Sequence, residues 1–174
     1  MYQKERFCDT HTRGELNLIT IKEITAADDK AAICDNILRA LPNWFGIEES
    51  IVDYVAGVQN KPFYALVGAD GTVGFVSILV HNQYTAEIYV MGILESHHRQ
   101  GLGKKIVETC KDYCRTHGME FLTVKTLDAS REDASYAKTR KFYEAMGFKP
   151  LEVFPTLWDP TNPCLFMAMY VGQF

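Results

Sequence analysis

The stretch "AEIYVMGILESHHRQGLGKKIVE", Ala86 to Glu108, decides the fold of this chain. It opens with the β-branched and apolar residues typical of a strand, breaks at a short polar segment, and closes as a basic amphipathic pattern. Two glycines around one leucine separate these parts. The pattern predicts a strand over residues 86–94, a tight turn, and a helix over residues 103–117 that Gly118 ends.

The glycine turn, Gly101 to Gly103, is the first candidate functional feature. Backbone N–H groups at a helix start have no intrahelical partner and lie at the positive end of the helix dipole, so an anion is favoured there. Arg99 and Lys104 add positive charge where helices usually prefer acidic residues. The turn therefore predicts a polyphosphate site, with a plain turn carrying surface lysines as the alternative. Ile106 in place of a third glycine excludes the Rossmann pattern, and no P-loop sequence follows.

The rest of the chain predicts alternating strands and helices. Upstream, the patterns favour a strand over residues 16–24, helices over 27–41 and 48–59, and a hairpin around Asp70-Gly71. Downstream, they favour a strand over residues 119–127, a helix that begins at 133 and ends at Gly147, and strands over 151–158 and 163–171. The fold class is therefore mixed α/β, with an antiparallel front half and crossovers behind it.

Composition fits a single domain spanning residues 1–174, with residues 1–15 as a flexible lead-in or an edge strand. The net charge of -4 does not indicate binding to nucleic acid, which is a polyanion. No apolar run reaches the length of a membrane span. The five cysteines form no CxxC pair and are expected to be small core residues, so no metal site is predicted. A cytoplasmic location is the expectation.

Two stretches resemble motifs of one family. "HHRQGLGKK", His97 to Lys105, after "EIYVMGIL" resembles motif A of the GNAT acetyltransferase superfamily, R/Q-x-x-G-x-G/A following the fourth strand. "KTRKFYEAMGFKPL", Lys138 to Leu151, resembles motif B of the same superfamily, a helix that runs beside the pantetheine arm. Two positions depart from the family pattern: His98 replaces an Arg or Gln, and Tyr136 replaces a frequent Asn.

The order of elements also resembles that superfamily over residues 16–171. This resemblance implies a mixed, mostly antiparallel sheet of roughly six to seven strands flanked by about four helices and splayed between the fourth and fifth strands. It also implies acetyl-CoA as the cosubstrate, with its pyrophosphate held at the glycine turn. The residues that would line the pyrophosphate are His98, Arg99, Gln100, Gly101, Leu102, Gly103 and Lys104.

Further cofactor contacts follow from the same resemblance. The fourth strand is expected to be bulged and open, so that the backbone of Met91, Gly92 and Ile93 pairs with pantetheine as if with another strand. Gly92 fits such a bulge, because a glycine inside a strand often marks one. Tyr136 and Arg140 share a helical face with Tyr143 and are predicted cofactor neighbours.

The predicted catalytic residues are Glu87 and Tyr143. A lysine-like amine with a pKa near 10.4 is neutral in only about one part in two to three thousand at pH 7, so the reaction needs a base. Glu87 matches the glutamate base of histone-type members of the family; the alternative is a solvent-facing strand residue. Tyr143 matches the residue that protonates or hydrogen-bonds the departing thiolate; the alternative is a core tyrosine.

The acceptor pocket is expected near the first helices and the last strands. Trp44, Phe45 and Trp158 would give it aromatic walls, or would be core residues instead, while Glu48, Glu49 and Asp159 would favour a cationic acceptor.

The function predicted is direct acetyl transfer from acetyl-CoA to a primary amine of a small molecule or peptide. No nucleic-acid or membrane partner is expected, and a homodimer stays open. The alternatives are a non-catalytic CoA-binding sensor or interaction module and an unrelated nucleotide-binding protein. His97 is expected to be a solvated loop residue.

Overall fold

The computed structural model of the protein describes residues 18–172, which form seven strands and four α-helices. The elements in chain order are β1 (Thr20–Glu23), α1 (Ala27–Arg39), α2 (Glu48–Gly57), β2 (Phe63–Gly68), β3 (Gly71–Asn82), β4 (Thr85–Ile93), α3 (Leu102–Thr116), β5 (Phe121–Leu127), α4 (Ala134–Met146), β6 (Lys149–Asp159) and β7 (Asn162–Tyr170). This order confirms the predicted fold class. The lead-in over residues 1–15 and Cys8 lie outside the described residues.

All seven strands form one sheet in the order β1-β2-β3-β4-β5-β7-β6. Neighbouring strands are antiparallel except for β4 and β5, which run parallel and are connected through α3. A parallel pair needs such a crossover, because a tight hairpin can join only antiparallel strands. The mostly antiparallel sheet with one parallel pair is the architecture that the family resemblance implied.

Helices cover both faces of the sheet. Leu38 of α1 and Ile51 of α2 belong to a buried cluster with Phe75 of β3, which defines the α1/α2 face. Ile106 of α3 and Tyr143 of α4 belong to a second cluster, which defines the α3/α4 face. Side chains alternate along a strand, and β2, β3 and β4 each contribute to both clusters. None of the helices in residues 18–172 is long and apolar enough to cross a membrane.

Strands β4 and β5 pair over only part of their length. Their register runs from Thr85↔Phe121 to Ile88↔Val124. Beyond that point β5 continues on β7, and β4 continues on β3. The two strands therefore diverge, and one backbone edge of residues 89–93 has no strand partner among residues 18–172. This confirms the splay predicted between the fourth and fifth strands.

The bulge in β4 lies at Tyr89. Ser77 of β3 pairs with Val90 and Ile78 pairs with Ile88, so Tyr89 is the extra residue. The assignment of the bulge to Gly92 was therefore wrong, because Gly92 pairs in regular register with β3. What Gly92 supplies is space for α1, since a Cβ there would lie 2.9 Å from Cγ2 of Ile37.

Candidate functional site

A cavity of about 690 Å³ opens where β4 and β5 diverge. Its walls come from both strands, the start of α3, α4 and the segment after α1. Phe142 and Tyr143 line it from the α3/α4 face, and Trp44 and Tyr54 line it from the α1/α2 face. The cavity thus connects the two faces of the sheet through the split, and its volume is that of a small-molecule site.

The turn into α3 forms part of the cavity wall. Arg99 and Gly101 both have left-handed backbone conformations, with φ of 60° and 79°. Gly101 occupies the N-cap position, and no side chain in the described part of the chain caps the helix. The residues from Gly101 to Lys104 line the cavity, as does Arg99. An uncapped helix start beside two cationic side chains suits an anionic group.

Glycine is favoured at positions 101 and 103 of the turn for different structural reasons. A Cβ on Gly101 would meet no heavy atom within 4 Å, so the positive φ is what favours glycine there. A Cβ on Gly103 would lie 2.8 Å from the ring of Phe142, so glycine there lets α3 approach α4 closely. A phosphate contact at Gly103 stays a prediction, and helix packing is a second reason for glycine at that position.

Most of the predicted cofactor residues meet at the cavity. Those that line it are Met91, Gly92, Ile93, His98, Arg99, Gly101, Leu102, Gly103, Lys104 and Tyr136. Gln100 and Arg140 do not line it. Gln100 donates a hydrogen bond to the carbonyl of Ser96 at 3.1 Å, and Arg140 donates one to the carbonyl of Leu127 at 2.8 Å. Contact of any of these residues with a cofactor stays a prediction.

His98 and Tyr136, the two residues that depart from the family motifs, both contact Trp44. The ring of His98 packs edge-on against the Trp44 ring at 5.7 Å, and its Nε2 lies 2.7 Å from the Ile93 carbonyl. The Tyr136 hydroxyl donates to the Trp44 carbonyl at 2.7 Å. Burial raises the pKa of Tyr136 to about 12, so the phenol keeps its proton at neutral pH. His98 and Tyr136 thus fix the segment between α1 and α2 over the cavity.

Tyr143 projects from α4 into the buried wall of the cavity. It is 5% exposed, and none of the described residues hydrogen-bonds its hydroxyl. Burial, reinforced by the neighbouring Cys110 thiol, raises the pKa of Tyr143 well above its ordinary value. The side chain is therefore a neutral phenol, able to donate a proton or a hydrogen bond to a group in the cavity.

Glu87 lies behind the cavity wall. It is 5% exposed, and it does not line the cavity. Its Oε2 accepts hydrogen bonds from the Lys125 ammonium and from Nε2 of His81, the latter at 2.8 Å. The solvent-facing alternative for Glu87 is therefore wrong. Lys125 does line the cavity and His81 is partly exposed, so the three side chains connect the cavity wall with the protein surface.

The three predicted acceptor residues, Trp44, Phe45 and Trp158, all line the cavity. Tyr54 and Tyr89 join them in the aromatic wall, and sequence reasoning missed both. Tyr89 is placed by the bulge of β4 and Tyr54 by the packing of α2 on that strand, with their rings 5.5 Å apart. No short motif in the sequence carries either signal.

The acidic residues expected at the acceptor pocket are elsewhere. Arg39 binds both oxygens of Glu48 at 2.7 and 2.8 Å, and Asp159 accepts hydrogen bonds from Thr161 and Asn162 in its own turn. Among residues 18–172, no Asp or Glu lines the cavity. The reason given for expecting a cationic acceptor is therefore wrong.

The described cysteines are free and buried: Cys34, Cys110, Cys114 and Cys164. Burial raises the pKa of Cys164 to about 11, which leaves little of the nucleophilic thiolate at neutral pH. Within the described part of the chain there is also no group of three or more His, Cys, Asp or Glu residues that could hold a metal ion.

Comparisons with known proteins agree with this geometry. The family model described as the acetyltransferase (GNAT) family matches residues 31–148. The comparison with curated proteins found no match. Among solved structures, the chain is similar to a protein assigned to the GNAT acetyltransferases from Desulfovibrio desulfuricans, with a TM-score of 0.76 and 16% identity over 89% of this chain and 100% of that one.

Two further solved structures have the same fold. The ribosomal-protein-S18-alanine N-acetyltransferase from Escherichia coli has a TM-score of 0.71 and 17% identity, covering 90% of this chain and 96% of its own. An aminoglycoside 6'-N-acetyltransferase complexed with coenzyme A has a TM-score of 0.68 and 18% identity, covering 89% of this chain and 98% of its own. At such identities the likeness extends to the fold alone.

Proposed function

The chain belongs to the acetyltransferase (GNAT) family, and on that premise we propose that it transfers the acetyl group of acetyl-CoA directly to a primary amine of a small molecule or peptide. One observation carries the proposal. A single cavity joins the uncapped, cationic start of α3 to the unpaired edge of β4 and to the buried Tyr143 phenol. These are the parts that a long, anionic thioester would need.

Acetyl-CoA would lie along the cavity with its pyrophosphate at the turn. The N–H groups at the start of α3 and the side chains of Arg99 and Lys104 would bind the phosphate oxygens. The pantetheine amides would pair with the free backbone edge of residues 91–93, as an added strand would. A solved structure of the same fold was obtained in complex with coenzyme A, which supports this assignment.

Transfer would be direct. The acceptor nitrogen forms a bond to the acetyl carbon, the carbon–sulfur bond breaks, and the electron pair of that bond goes to sulfur. Tyr143 would donate its phenolic proton or a hydrogen bond to the departing thiolate, as its neutral state allows. No acetylated enzyme is invoked, because the one cysteine weighed as a nucleophile, Cys164, is buried in β7 with a raised pKa.

Glu87 would accept the proton of the acceptor ammonium through Lys125. The carboxylate lies behind the wall, whereas the Lys125 ammonium bound to it lines the cavity. Lys125 would first release a proton to Glu87, and the neutral amine so formed would then accept one from the acceptor ammonium. His81, bound to the same carboxylate oxygen and partly exposed, would pass the proton to water.

The acceptor would be an amine on an aromatic or apolar body. The acceptor side of the cavity offers the rings of Trp44, Phe45, Tyr54, Tyr89 and Trp158. Aromatic faces can hold one ammonium group. A polyamine would need carboxylates, and the described residues supply none to the cavity.

The test is a panel of acceptors with the wild-type protein and acetyl-CoA. Aromatic monoamines, linear polyamines and short peptides with a free N-terminus or a lysine would be compared by thiol release and by mass spectrometry of the product. We expect aromatic monoamines to react fastest. Calorimetric binding of CoA without thiol release over the whole panel would favour the CoA-binding sensor or interaction module. Failure to bind CoA at all would overturn the proposal.

A further inference from the structure

The hydroxyl of Thr126 is a buried polar group without a partner. Thr126 is 2% exposed, and its Oγ1 is the one fully buried side-chain nitrogen or oxygen among residues 18–172 that makes no hydrogen bond. A buried hydroxyl left unpaired is costly, so native proteins seldom retain one without a use for it. Thr126 also lines the cavity, so its side chain adjoins the space that a ligand would fill.

Its position in the sheet places it beside the split. Val124 makes the last pairing between β5 and β4, and Thr126 lies two residues further on, where the strands have separated. Thr126 pairs with Leu165 of β7, which belongs to the buried cluster of the α3/α4 face. Since directly paired residues point to the same side of a sheet, Thr126 shares that face with Tyr143. Lys125 and Glu87 therefore lie on the opposite face.

We propose that the Thr126 hydroxyl is a second hydrogen-bond donor, beside Tyr143, to the sulfur of CoA as it leaves; this inference rests on the proposed function. When the acceptor nitrogen bonds to the acetyl carbon, the carbon–sulfur bond breaks and its electron pair becomes a thiolate lone pair. Thr126 donates a hydrogen bond to that lone pair and keeps its proton, while Tyr143 donates a proton or a hydrogen bond to the same sulfur. The acceptor nitrogen loses one proton as the amide forms, and that proton replaces any that Tyr143 gives up.

The chemistry of sulfur determines whether the Thr126 hydrogen bond affects kcat or the affinity for acetyl-CoA. A thioester sulfur is a weak acceptor, whereas a developing thiolate is a strong, charged one. The hydrogen bond from Thr126 is therefore made mainly in the transition state, and such an interaction raises kcat rather than the affinity for acetyl-CoA. In the free protein the same hydroxyl has no partner among residues 18–172, which lowers the free energy of unfolding.

The variant Thr126→Val keeps the shape of the side chain and removes the hydroxyl. We expect kcat to fall about tenfold to a hundredfold, the loss typical of a hydrogen bond to a charged group. The Kd for acetyl-CoA should change by less than about twofold, and Tm should rise because an unpaired buried hydroxyl is gone. Thr126→Ser, which keeps the donor, should retain most of kcat.

Thr123→Val is the matched control on the same strand. Thr123 is 3% exposed, and its Oγ1 donates to the Ala86 carbonyl at 3.2 Å on the opposite face. That variant should lower Tm and leave kcat near the wild-type value. Unchanged kcat in Thr126→Val, or a kcat loss accompanied by a lower Tm, would overturn the inference.

A binding measurement separates this inference from the proposed function. At pH 9 an ordinary thiol is mostly thiolate, so wild-type protein should bind CoA more tightly than desulfo-CoA, and Thr126→Val should reduce that preference, with Tyr143 as the remaining donor. If the wild type binds neither compound, the proposed function fails and this inference fails with it. If the wild type binds CoA and releases thiol from acetyl-CoA, yet the preference of Thr126→Val for CoA is undiminished, only the role of Thr126 is overturned.

Discussion

The ammonium of Lys125 on the cavity wall is bound to the carboxylate of Glu87, which is buried behind that wall. His81 binds the same oxygen from the neighbouring strand β3. A buried carboxylate is tolerated when it is paired and hydrogen-bonded. Here Lys125 and His81 are its two partners. Glu87 is thus connected to the cavity through Lys125.

Glu87→Gln tests the role of this carboxylate as a base. The substitution keeps the size of the side chain and loses its proton-accepting capacity, so kcat at pH 7 should fall about a hundredfold, within the range typical of general bases. The defect should shrink as the pH rises toward about 10.4, the ordinary pKa of an alkyl amine, because the acceptor then loses its proton without help. The measurement is kcat from pH 6.5 to 10 for both proteins, with circular dichroism at each pH.

Lys125→Met is the companion variant. It removes the group that links Glu87 to the cavity and leaves the buried carboxylate with His81 as its remaining partner, so we expect both a lower kcat and a lower Tm. A Glu87→Gln defect of equal size at every pH, together with a lower Tm, would make Glu87 a structural residue.

Tyr143→Phe tests the donor to the leaving group. The variant should lower kcat about tenfold to a hundredfold and change the Kd for acetyl-CoA little, because the thiolate forms only during the reaction. Burial raises the pKa of Tyr143, so its neutral form is favoured by folding. The free energy of unfolding is therefore unaffected by Tyr143 below about pH 10, the ordinary pKa of tyrosine. Above that pH it falls, because the unfolded chain ionises the phenol more readily than the folded one. The kcat profile of the wild type should therefore show no tyrosine ionisation below pH 10.

Tyr136→Phe is the matched control for that variant. Its hydroxyl holds the Trp44 carbonyl, so its loss should raise the KM for the acceptor rather than lower kcat. Unchanged kcat in Tyr143→Phe would remove Tyr143 from the mechanism.

Local sequence signals predicted the fold correctly, and many of the residues that they singled out lie at the cavity. The switch from a two-residue period to a helical one around Gly101 indicated the strand, turn and helix, and these depend on near neighbours in the chain. The residues placed by this stretch, such as His98 and Lys104, line the cavity.

Features that depend on distant packing escaped prediction. The need for glycine at position 103 comes from Phe142, which is 39 residues away in the chain. The burial of Glu87 depends on Lys125 of the parallel neighbour β5. Glu48, one of the acidic residues expected at the acceptor pocket, is instead bound by Arg39. The bulge at Tyr89 arises from the register with β3, which no single strand encodes. Long-range pairings of this kind leave no periodic trace in one sequence.

Lys104 and Lys105 are adjacent and differ in surroundings. Lys104 lines the cavity, whereas the Lys105 ammonium donates to the Ile19 carbonyl before β1. Lys104→Ala should weaken CoA binding about tenfold, the value of one charge-assisted hydrogen bond, and the effect should diminish as salt concentration rises. Lys105→Ala should leave the Kd near the wild-type value and lower Tm slightly. Calorimetry at two ionic strengths checks both, and equal losses of affinity would contradict a specific site at Lys104.

Gly101 and Gly118 stand at opposite ends of α3 in the same left-handed conformation, with φ of 79° and 68°, and a Cβ on either would meet no heavy atom within 4 Å. Alanine at either position should therefore cost a similar free energy of unfolding, about 1 kcal/mol. Gly101 lines the cavity and Gly118 does not. A methyl group on Gly101 would occupy the space through which phosphate oxygens approach the helix start, so Gly101→Ala should weaken CoA binding at least about tenfold while Gly118→Ala leaves it unchanged. Denaturant titration and calorimetry on both variants decide the matter, because equal CoA affinity in the two proteins would mean that the pyrophosphate does not bind at this turn.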